Sequence, residues 1–176
     1  ARREIGREDA VFSYAICDCE AIPFEDETFD LVVANHVLFY CEDIDRACRE
    51  IRRVLKPGGM LIAGTYGSAH MKEISRVVME FDDRIVLAAE NLYDRFGKEN
   101  GTDILQRVFE QVEWRQYEDA IEIDDAEPLI SYVLSCHGNQ NQYIAHKYRE
   151  FRAFMKKKTA GGFRITKDAG IFFAKK

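Results

Sequence analysis

The sequence lacks any long hydrophobic run. None of its segments approaches the roughly 18 to 20 consecutive apolar residues that a bilayer crossing needs, and the first residues, ARREIGREDA, contain no apolar signal-peptide core. We therefore expect no membrane span, no membrane partner and a cytoplasmic location. The 176 residues are 47% hydrophobic, 32% charged and 12% aromatic, which is typical of a globular domain and excludes a disordered or fibrous chain.

Recognisable cysteine patterns are also missing. The sequence contains no C-x-x-C pair, and its five cysteines are odd in number and irregularly spaced, which argues against a disulfide framework or a zinc site. We expect no metal site, and buried or partly buried thiols of the kind usual in a reducing compartment. The cysteines are Cys17, Cys19, Cys41, Cys48 and Cys136.

Charge is unevenly distributed along the chain, whose net charge is −6. Residues 147–176 hold ten Lys and Arg and two acidic residues, a net +8, whereas residues 1–146 carry −14. A basic segment can bind an anionic partner such as nucleic acid or a membrane surface. The segment YEDAIEIDDAE at 117–127 holds six acidic residues, however, and we expect the two blocks to face each other or the solvent.

Strand and helix patterns alternate from the start of the chain. FDLVVAN is nearly continuously apolar. Such a run is typical of a strand that is buried on both faces of a parallel sheet, and we predict a strand of that kind here. Apolar residues at helical spacing follow Asp43, a suitable N-cap, and Pro57-Gly58-Gly59 ends that helix. Strand, helix and strand with short connections predict a right-handed parallel crossover and an α/β fold. The predicted elements are strands at 10–18, 29–35 and 60–67 and a helix at 43–55.

The second half of the chain is predicted to be mainly helical, with strands near its middle and end. Ser68 is a suitable cap for a helix whose apolar stripe ends at Phe81. Because no repeat or low-complexity linker occurs, we expect one domain, 1–176, with residues 68–110 and 126–158 as helical cap and cover elements. The other predictions are helices at 85–96, 102–109, 126–136 and 142–158, a strand at 111–119, and a hairpin at 162–176 turned at Lys167-Asp168 or Ala169-Gly170.

Polar side chains collect at one edge of the predicted sheet. Ligands of a parallel sheet bind beyond the carboxyl ends of its strands, where this sequence has Asp18-Cys19, Asn35-His36 and Tyr66-Gly67. A carboxylate there can accept a hydrogen bond from an exocyclic amine or a ribose hydroxyl, and an exposed backbone N–H can donate to a ring nitrogen. We therefore expect the ligand site at this edge.

The segment CDCEAIPFEDETFDLVVANHVLFYCEDIDRACREIRRVLKPGGMLIAGTYG resembles the middle of class I S-adenosylmethionine-dependent methyltransferases, in the broad group that includes ubiquinone and menaquinone biosynthesis methyltransferases. The matching pieces are an Asp and a small residue that close a strand, a Pro-Phe step, a Phe-Asp strand start and an LKPGG turn. The resemblance implies a Rossmann-like, mostly parallel sheet with an antiparallel C-terminal strand and missing N-terminal strands. The pieces are Asp18-Cys19, Pro23-Phe24, Phe29-Asp30 and residues 55–59.

Two features of that family are absent from the sequence, namely the glycine-rich loop after the first strand and the acidic residue that ends the second. By the resemblance, ARREIGREDA corresponds to the end of the helix after the second strand, and the chain to the C-terminal two-thirds of a methyltransferase domain. We therefore expect residues 1–176 alone to bind cofactor weakly and to be inactive. We also expect the open edge of strand 29–35 to be covered by a further segment of the natural protein or by a partner chain such as a homo-oligomer copy.

The resemblance implies S-adenosyl-L-methionine as the cofactor. By that likeness, Asp18 accepts a hydrogen bond from the adenine amine, and the backbone N–H of Cys19 meets a ring nitrogen. Asn35 and His36 line the methionine end. The alternatives are that Asp18 is a turn or cap carboxylate and that His36 is a partly buried histidine with satisfied hydrogen bonds, and both stay open from the sequence.

Methyl transfer to a small-molecule acceptor is the function that this resemblance implies. The reaction needs mainly alignment of the methyl group with a nucleophile, and a general base where the nucleophile has a high pKa. The catalytic candidates are His36, Tyr66 and His70, besides Tyr40 as a further base and Tyr93, Phe96 and Tyr132 as an aromatic wall of the acceptor pocket.

Two other functions stay open at this point. A chain without the glycine-rich loop could be a non-catalytic structural or interaction module. A nucleic-acid methyltransferase could hold phosphates with residues 147–176, but the acidic net charge and the lack of interleaved basic and aromatic residues argue against it.

Overall fold

A computed structural model describes residues 13–176, in which four strands and seven α-helices alternate with short loops. The strands are β1 Phe29–Asn35, β2 Leu55–Tyr66, β3 Gln111–Ile123 and β4 Phe163–Lys175. The α-helices are α1 Ile44–Val54, α2 Lys72–Phe81, α3 Leu92–Arg95, α4 Gly101–Gln106, α5 Ala126–Ser135, α6 Gln140–Ile144 and α7 Tyr148–Thr159, and 3₁₀ turns span Leu38–Tyr40 and Ala145–Lys147. None of the helices within residues 13–176 is long and apolar enough to span a bilayer.

The four strands form one mixed sheet in the order β1-β2-β4-β3. β1 and β2 run parallel and are joined by α1, whereas β4 runs antiparallel to both of its neighbours. This arrangement confirms the predicted Rossmann-like α/β fold with an antiparallel C-terminal strand. The outer edge of β1 has no partner strand among the described residues, and Leu31 and Val33 on it are 50% and 60% exposed.

The crossover from β1 to β2 follows the prediction because its local signals agree with its packing. Asp43 caps α1, since its Oδ1 accepts a hydrogen bond from the backbone N–H of Arg46 at 2.9 Å. β2 starts at Leu55, directly after α1 and earlier than the predicted residue 60. Pro57-Gly58-Gly59, which was expected to end the helix, therefore lies within β2, since α1 already ends at Val54. The buried face of α1 consists of Ala47, Cys48, Ile51 and Val54.

Two hydrophobic cores lie within the described residues. The first core joins β1, α1 and β2 to α4 and to the rings of Phe96 and Phe172. The second core joins α2 to α5, α6 and α7 through residues such as Ile74 and Phe151, and Ile165 of β4 extends it to the sheet. Full burial of one large apolar side chain contributes about 1.5–3 kcal/mol, so packing in the second core stabilises the arrangement of α2, α5, α6 and α7.

The predicted strand at 10–18 is wrong over the part that the structure describes. Residues 10–12, and the helix end expected within residues 1–10, lie outside the described residues. Residues 13–17 are irregular and exposed, and Asp18 forms only an isolated bridge with Ala21. A strand needs a partner for its backbone groups, and no strand of the described sheet pairs with this segment.

The predicted helix at 85–96 is much shorter in the structure, where only Leu92–Arg95 is helical. The side chain of Asn139 accepts a hydrogen bond from the backbone N–H of Val86 and donates one to the carbonyl of Arg84. The backbone N–H of Asn139 donates to the carbonyl of Val86. These contacts with a distant loop occupy the groups that a local helix would need.

The predicted Ser68 cap is also wrong, because α2 begins later, at Lys72. The residue before it, Met71, has a left-handed backbone with φ of 54° and supplies no side-chain cap. The backbone N–H and the hydroxyl of Ser68 instead donate to Glu99 Oε1, both at 2.9 Å. Ser68 therefore fixes the loop that precedes the helix.

The predicted C-terminal hairpin is one continuous strand, because β4 pairs with β2 on one side and β3 on the other. Gly170 allows this close pairing, since a Cβ at that position would collide with the carbonyl of Arg115 and the ring of Trp114. The predicted helix at 142–158 is divided by the 3₁₀ turn at Ala145–Lys147.

Candidate functional site

The carboxyl ends of β1 and β2 meet where the sequence predicts a ligand edge. Asn35 pairs with Gly64, whose missing side chain leaves the space that Asn35 Oδ1 occupies. His36 follows in a left-handed backbone conformation, φ 55°, and its backbone N–H donates to the carbonyl of Gly64 at 3.0 Å. A non-glycine residue held in this conformation is uncommon and recurs at functional sites.

The three predicted catalytic candidates come together beyond this edge. The ring of Tyr66 lies 6.0 Å from that of His36 and 5.1 Å from that of His70, measured between ring centroids. Phe39 and Tyr93 contact the same tyrosine ring at 5.7 Å and 6.2 Å. Tyr66 is therefore the centre of an aromatic and imidazole cluster at the end of β2.

His70 combines two properties of a proton acceptor. Burial, and secondarily the positive charge of Lys167, hold the pKa of His70 below its ordinary value, so its imidazole is neutral near pH 7. Its Nδ1 is buried and has no hydrogen-bond partner among residues 13–176. Burial raises the pKa of Tyr66, which therefore keeps its proton and can donate it in a hydrogen bond.

A cavity of about 550 Å³ adjoins the cluster. It lies at the boundary of the two cores, because Tyr66 and Leu92 pack against the first core and Met71 and Leu87 against the second. The predicted aromatic wall is present only in part, since Phe96 is 1% exposed and packs on Phe172 inside the first core. The lining includes Tyr66, His70, Ser75, Glu90, Tyr93, Tyr132 and Cys136.

A buried carboxylate fixes the loop between Tyr66 and His70. Asp168 on β4 accepts hydrogen bonds from Lys98 Nζ at 2.8 Å, from Gln116 Nε2 at 3.1 Å and from the backbone N–H of Ala69 at 3.3 Å. Burial alone would raise the pKa of Asp168, but the bonds from Lys98 and Gln116 outweigh it and leave the pKa below its ordinary value. The sequence does not reveal this group, because its members are far apart in the chain and no local pattern marks them.

The turn at Asp18 and Cys19 has its own set of hydrogen bonds. Asp18 is exposed, and its Oδ1 accepts a hydrogen bond from the backbone N–H of Glu20 at 2.9 Å. No hydrogen bond or ring contact joins Asp18 to Asn35, His36 or Tyr66 within residues 13–176. The arrangement matches the turn carboxylate that the sequence left open, and its outer oxygen remains available to a ligand.

The two charged blocks of the sequence face each other, as expected. Arg164 on β4 pairs with Glu122 on β3 at 2.5 Å. Arg152 and Lys156 on α7 both pair with Glu127 at the start of α5, at 2.6 Å and 3.4 Å. Within the described residues, no group of three or more His, Cys, Asp or Glu side chains has an arrangement that could hold a metal ion.

Residues 1–63 match a family model described as a methyltransferase domain. Malonyl-[acyl-carrier protein] O-methyltransferase of Methylococcus capsulatus is 46% identical over 57 residues, which are 32% of this chain and 21% of that protein. Sterol 4-C-methyltransferase of Caenorhabditis elegans is 51% identical over 45 residues, 26% of this chain and 14% of that protein. The chain spans well under two-thirds of the length of these curated relatives.

A solved structure resembles the chain over more of its length. It is a Bacillus halodurans protein with a provisional methyltransferase assignment, and the match covers 92% of this chain and 76% of that one. The TM-score is 0.51 and the identity 16%, so this likeness shows the fold alone. The family model confirms the resemblance seen in the sequence over residues 1–63, which are similar to methyltransferase domains, and the solved structure shows that this chain shares the fold of such a protein.

Proposed function

We propose that this protein transfers a methyl group from S-adenosylmethionine to a small-molecule acceptor held in the cavity beside Tyr66 and His70. The observation that carries the proposal is the neutral His70, whose Nδ1 has no partner among the described residues and which lines a cavity next to the β1 and β2 ends. A methyl acceptor bound there would meet a group able to take its proton.

The residues at the sheet edge offer hydrogen-bond acceptors and donors that suit the polar groups of S-adenosylmethionine. Asp18 offers an exposed carboxylate oxygen, and the backbone N–H of Cys19 donates no hydrogen bond within residues 13–176. Asn35 and His36, both exposed at the end of β1, would hold its other end. When bound, S-adenosylmethionine supplies an electrophilic methyl group, and the protein must align it with a nucleophile.

The surrounding elements would orient the acceptor and exclude water. The Tyr66 hydroxyl can donate a hydrogen bond to the acceptor molecule, and the His70 imidazole can take a proton from it. In this proposal residues 68–110 act as a cap, since they supply Tyr93 and the α2 side of the cavity. Residues 126–158 act as a cover through Tyr132. Exclusion of water by a bound acceptor would strengthen each of these polar interactions.

The role of His70 depends on the acceptor atom. The relative of Methylococcus capsulatus acts on malonyl-[acyl-carrier protein] by its name, and a carboxylate acceptor is already ionised near pH 7. A hydroxyl or an ammonium group must lose a proton, and then needs a base. The effect of His70→Asn on kcat therefore distinguishes these acceptor classes.

The cofactor assignment is tested by calorimetric titration of S-adenosylhomocysteine into the protein expressed from its complete gene. Asp18→Asn should weaken binding by about 1–3 kcal/mol, because a charged acceptor is lost. Glu25→Gln is the matched control, since Glu25 is a nearby exposed acid whose side chain has no bonding partner among the described residues. Equal affinity of the Asp18 variant and the unaltered protein would contradict the assignment.

A further inference from the structure

We propose that Cys19 and Cys41 are a modification site, at which a low-molecular-weight disulfide oxidises the two thiols to a reversible intramolecular disulfide. Their Sγ atoms lie 3.1 Å apart, in a contact between the turn that carries Asp18 and the residue after the 3₁₀ turn Leu38–Tyr40. All five cysteines are free thiols, and this is the thiol pair in direct contact within residues 13–176.

The backbone on both sides of the pair is already fixed. Glu20 Oε1 accepts hydrogen bonds from the backbone N–H groups of Glu42 and Asp43 at 2.6 Å and 3.0 Å. Arg46 Nε donates to the carbonyl of Glu20 at 2.9 Å. The carbonyl of Cys41 accepts a hydrogen bond from Arg95. A disulfide bond is about 2.05 Å long, so the sulfurs must approach by only about 1 Å while these bonds hold the two segments in place.

Accessibility sets the order of the reaction. Cys19 is half-buried and can meet a small oxidant, whereas Cys41 is 4% exposed. The Cys19 thiolate attacks one sulfur of oxidised glutathione, the glutathione disulfide breaks, and one glutathione thiolate leaves. Cys41 then releases its proton to water and attacks Cys19 Sγ, which expels the second glutathione. The two cysteines lose two electrons and two protons in total, and oxidised glutathione is reduced to two thiols.

The second step is slow near neutral pH for a physical reason. Burial, together with the neighbouring Cys19, raises the pKa of Cys41 to about 12. Few Cys41 thiolates therefore exist at pH 7, and their number increases about tenfold with each pH unit below that pKa. The pair should resist closure at neutral pH and close faster in mildly alkaline solution.

The test uses the reduced protein and oxidised glutathione, followed by alkylation of free thiols, intact mass measurement and peptide mapping. We expect a mass lower by two hydrogen atoms, a peptide linking Cys19 to Cys41, and a closure rate that rises about tenfold between pH 7 and pH 8 if the second step is limiting. Dithiothreitol should reverse the change. Cys41→Ser should stop at a glutathione adduct on Cys19, and Cys136→Ser should close like the unaltered protein.

Either of two results would overturn the proposal. One is a link from Cys19 to Cys17 or Cys48, and the other is a glutathione adduct on Cys19 that persists in the unaltered protein in mildly alkaline solution, where the second step should be fast. If Cys41→Ser does not fold, Cys19→Ser replaces it as the test variant, since it removes the more exposed thiol of the pair. The Cys19→Ser protein must then form no intramolecular disulfide at Cys41. None of these readouts requires S-adenosylmethionine, so the site and the proposed function can fail separately.

Discussion

The first core and the second core differ in how much of each comes from one continuous stretch of the chain. In the first core, β1, α1 and β2 follow one another within residues 29–66, and α4, Phe96 and Phe172 join them from farther along the chain. In the second core, α2 packs on helices that begin at residue 126 or later. The cavity lies where these cores meet, so its shape depends on both local and distant packing. A site of this kind can take side chains from each core while the shared sheet keeps them in register.

The largest expected effect compares one buried ring from each core. Phe172→Ala removes the ring that packs on Trp114 and Phe96, with centroids at 4.6 Å and 5.7 Å. Phe151→Ala removes the ring that packs on Phe81 at 5.1 Å in the second core. Each variant should lose about 3–5 kcal/mol in the free energy of unfolding, measured in urea.

The same experiment tests whether the cores unfold together. Trp114 is the single tryptophan and reports on the first core, whereas far-UV circular dichroism reports on all the helices. Because β4 contributes to both cores, we expect the two signals to change at one midpoint in each variant. Separate midpoints in Phe151→Ala would show that the second core unfolds on its own.

A smaller effect should follow from the carboxylate that fixes the loop between the cores. Asp168→Asn should cost about 1–3 kcal/mol near pH 7, because Lys98 and the backbone of Ala69 lose a buried charged acceptor. The lowered pKa of Asp168 gives stability that is present above the unfolded-state value of about 3.9 and is lost as pH falls through the folded-state value. The variant should therefore show a flatter loss of stability in acid.

Asp30→Asn is the matched control for this prediction. Asp30 pairs with Lys56 at 2.9 Å, but its side chain is 84% exposed. We expect its substitution to change stability by less than about 0.5 kcal/mol. If Asp30→Asn and Asp168→Asn had equal effects, the buried network would not be what fixes the loop.

The smallest expected effect concerns His70 and appears only with pH. Its pKa is lowered in the folded protein by burial and by Lys167, although Asp168 opposes the shift. As pH falls, the unfolded chain therefore takes up the proton before the folded protein does. The contribution of His70 to the free energy of unfolding is complete above about pH 6.5, and it is lost as pH falls towards the folded-state pKa. His70→Asn should reduce the loss of stability between about pH 6.5 and pH 5. His137→Asn, at an exposed position, should keep the slope of the unaltered protein, and equal slopes in all three proteins would contradict the burial of His70.

The sequence predicts the elements that depend on local signals better than the elements that depend on distant contacts. Asp43, the buried stripe of α1 and the apolar FDLVVAN run are local signals, and the structure confirms the elements they predict. The burial expected on both faces of FDLVVAN is wrong in the described structure, because Leu31 and Val33 on one face of β1 are exposed. The helix expected at 85–96 is wrong because Asn139 binds its backbone from a loop far along the chain. The hairpin expected at 162–176 is wrong because β4 pairs with β2 and β3 and not with itself. The residues around Gly170 carry no sign of these two distant partners.

Only the part of the candidate site that lies at the ends of strands could be predicted from the sequence. Asn35, His36 and Tyr66 were chosen as candidates because the rule for parallel sheets places ligands beyond those ends, and the structure brings His36 and Tyr66 into one cluster. Lys98 and Asp168 were not found, since an ion pair between residues 70 positions apart leaves no pattern in the sequence. Phe96 was assigned to the pocket because its aromatic character does not distinguish a cavity wall from a core.

The most direct test of the account is a crystal structure of the protein from its complete gene with S-adenosylhomocysteine bound. We expect the ligand to lie at the carboxyl ends of β1 and β2, with its adenine amine bonded to Asp18 and a ring nitrogen bonded to the Cys19 backbone N–H, and its sulfur facing the cavity beside Tyr66 and His70. A ligand bound elsewhere, or one whose sulfur faces away from that cavity, would contradict the account.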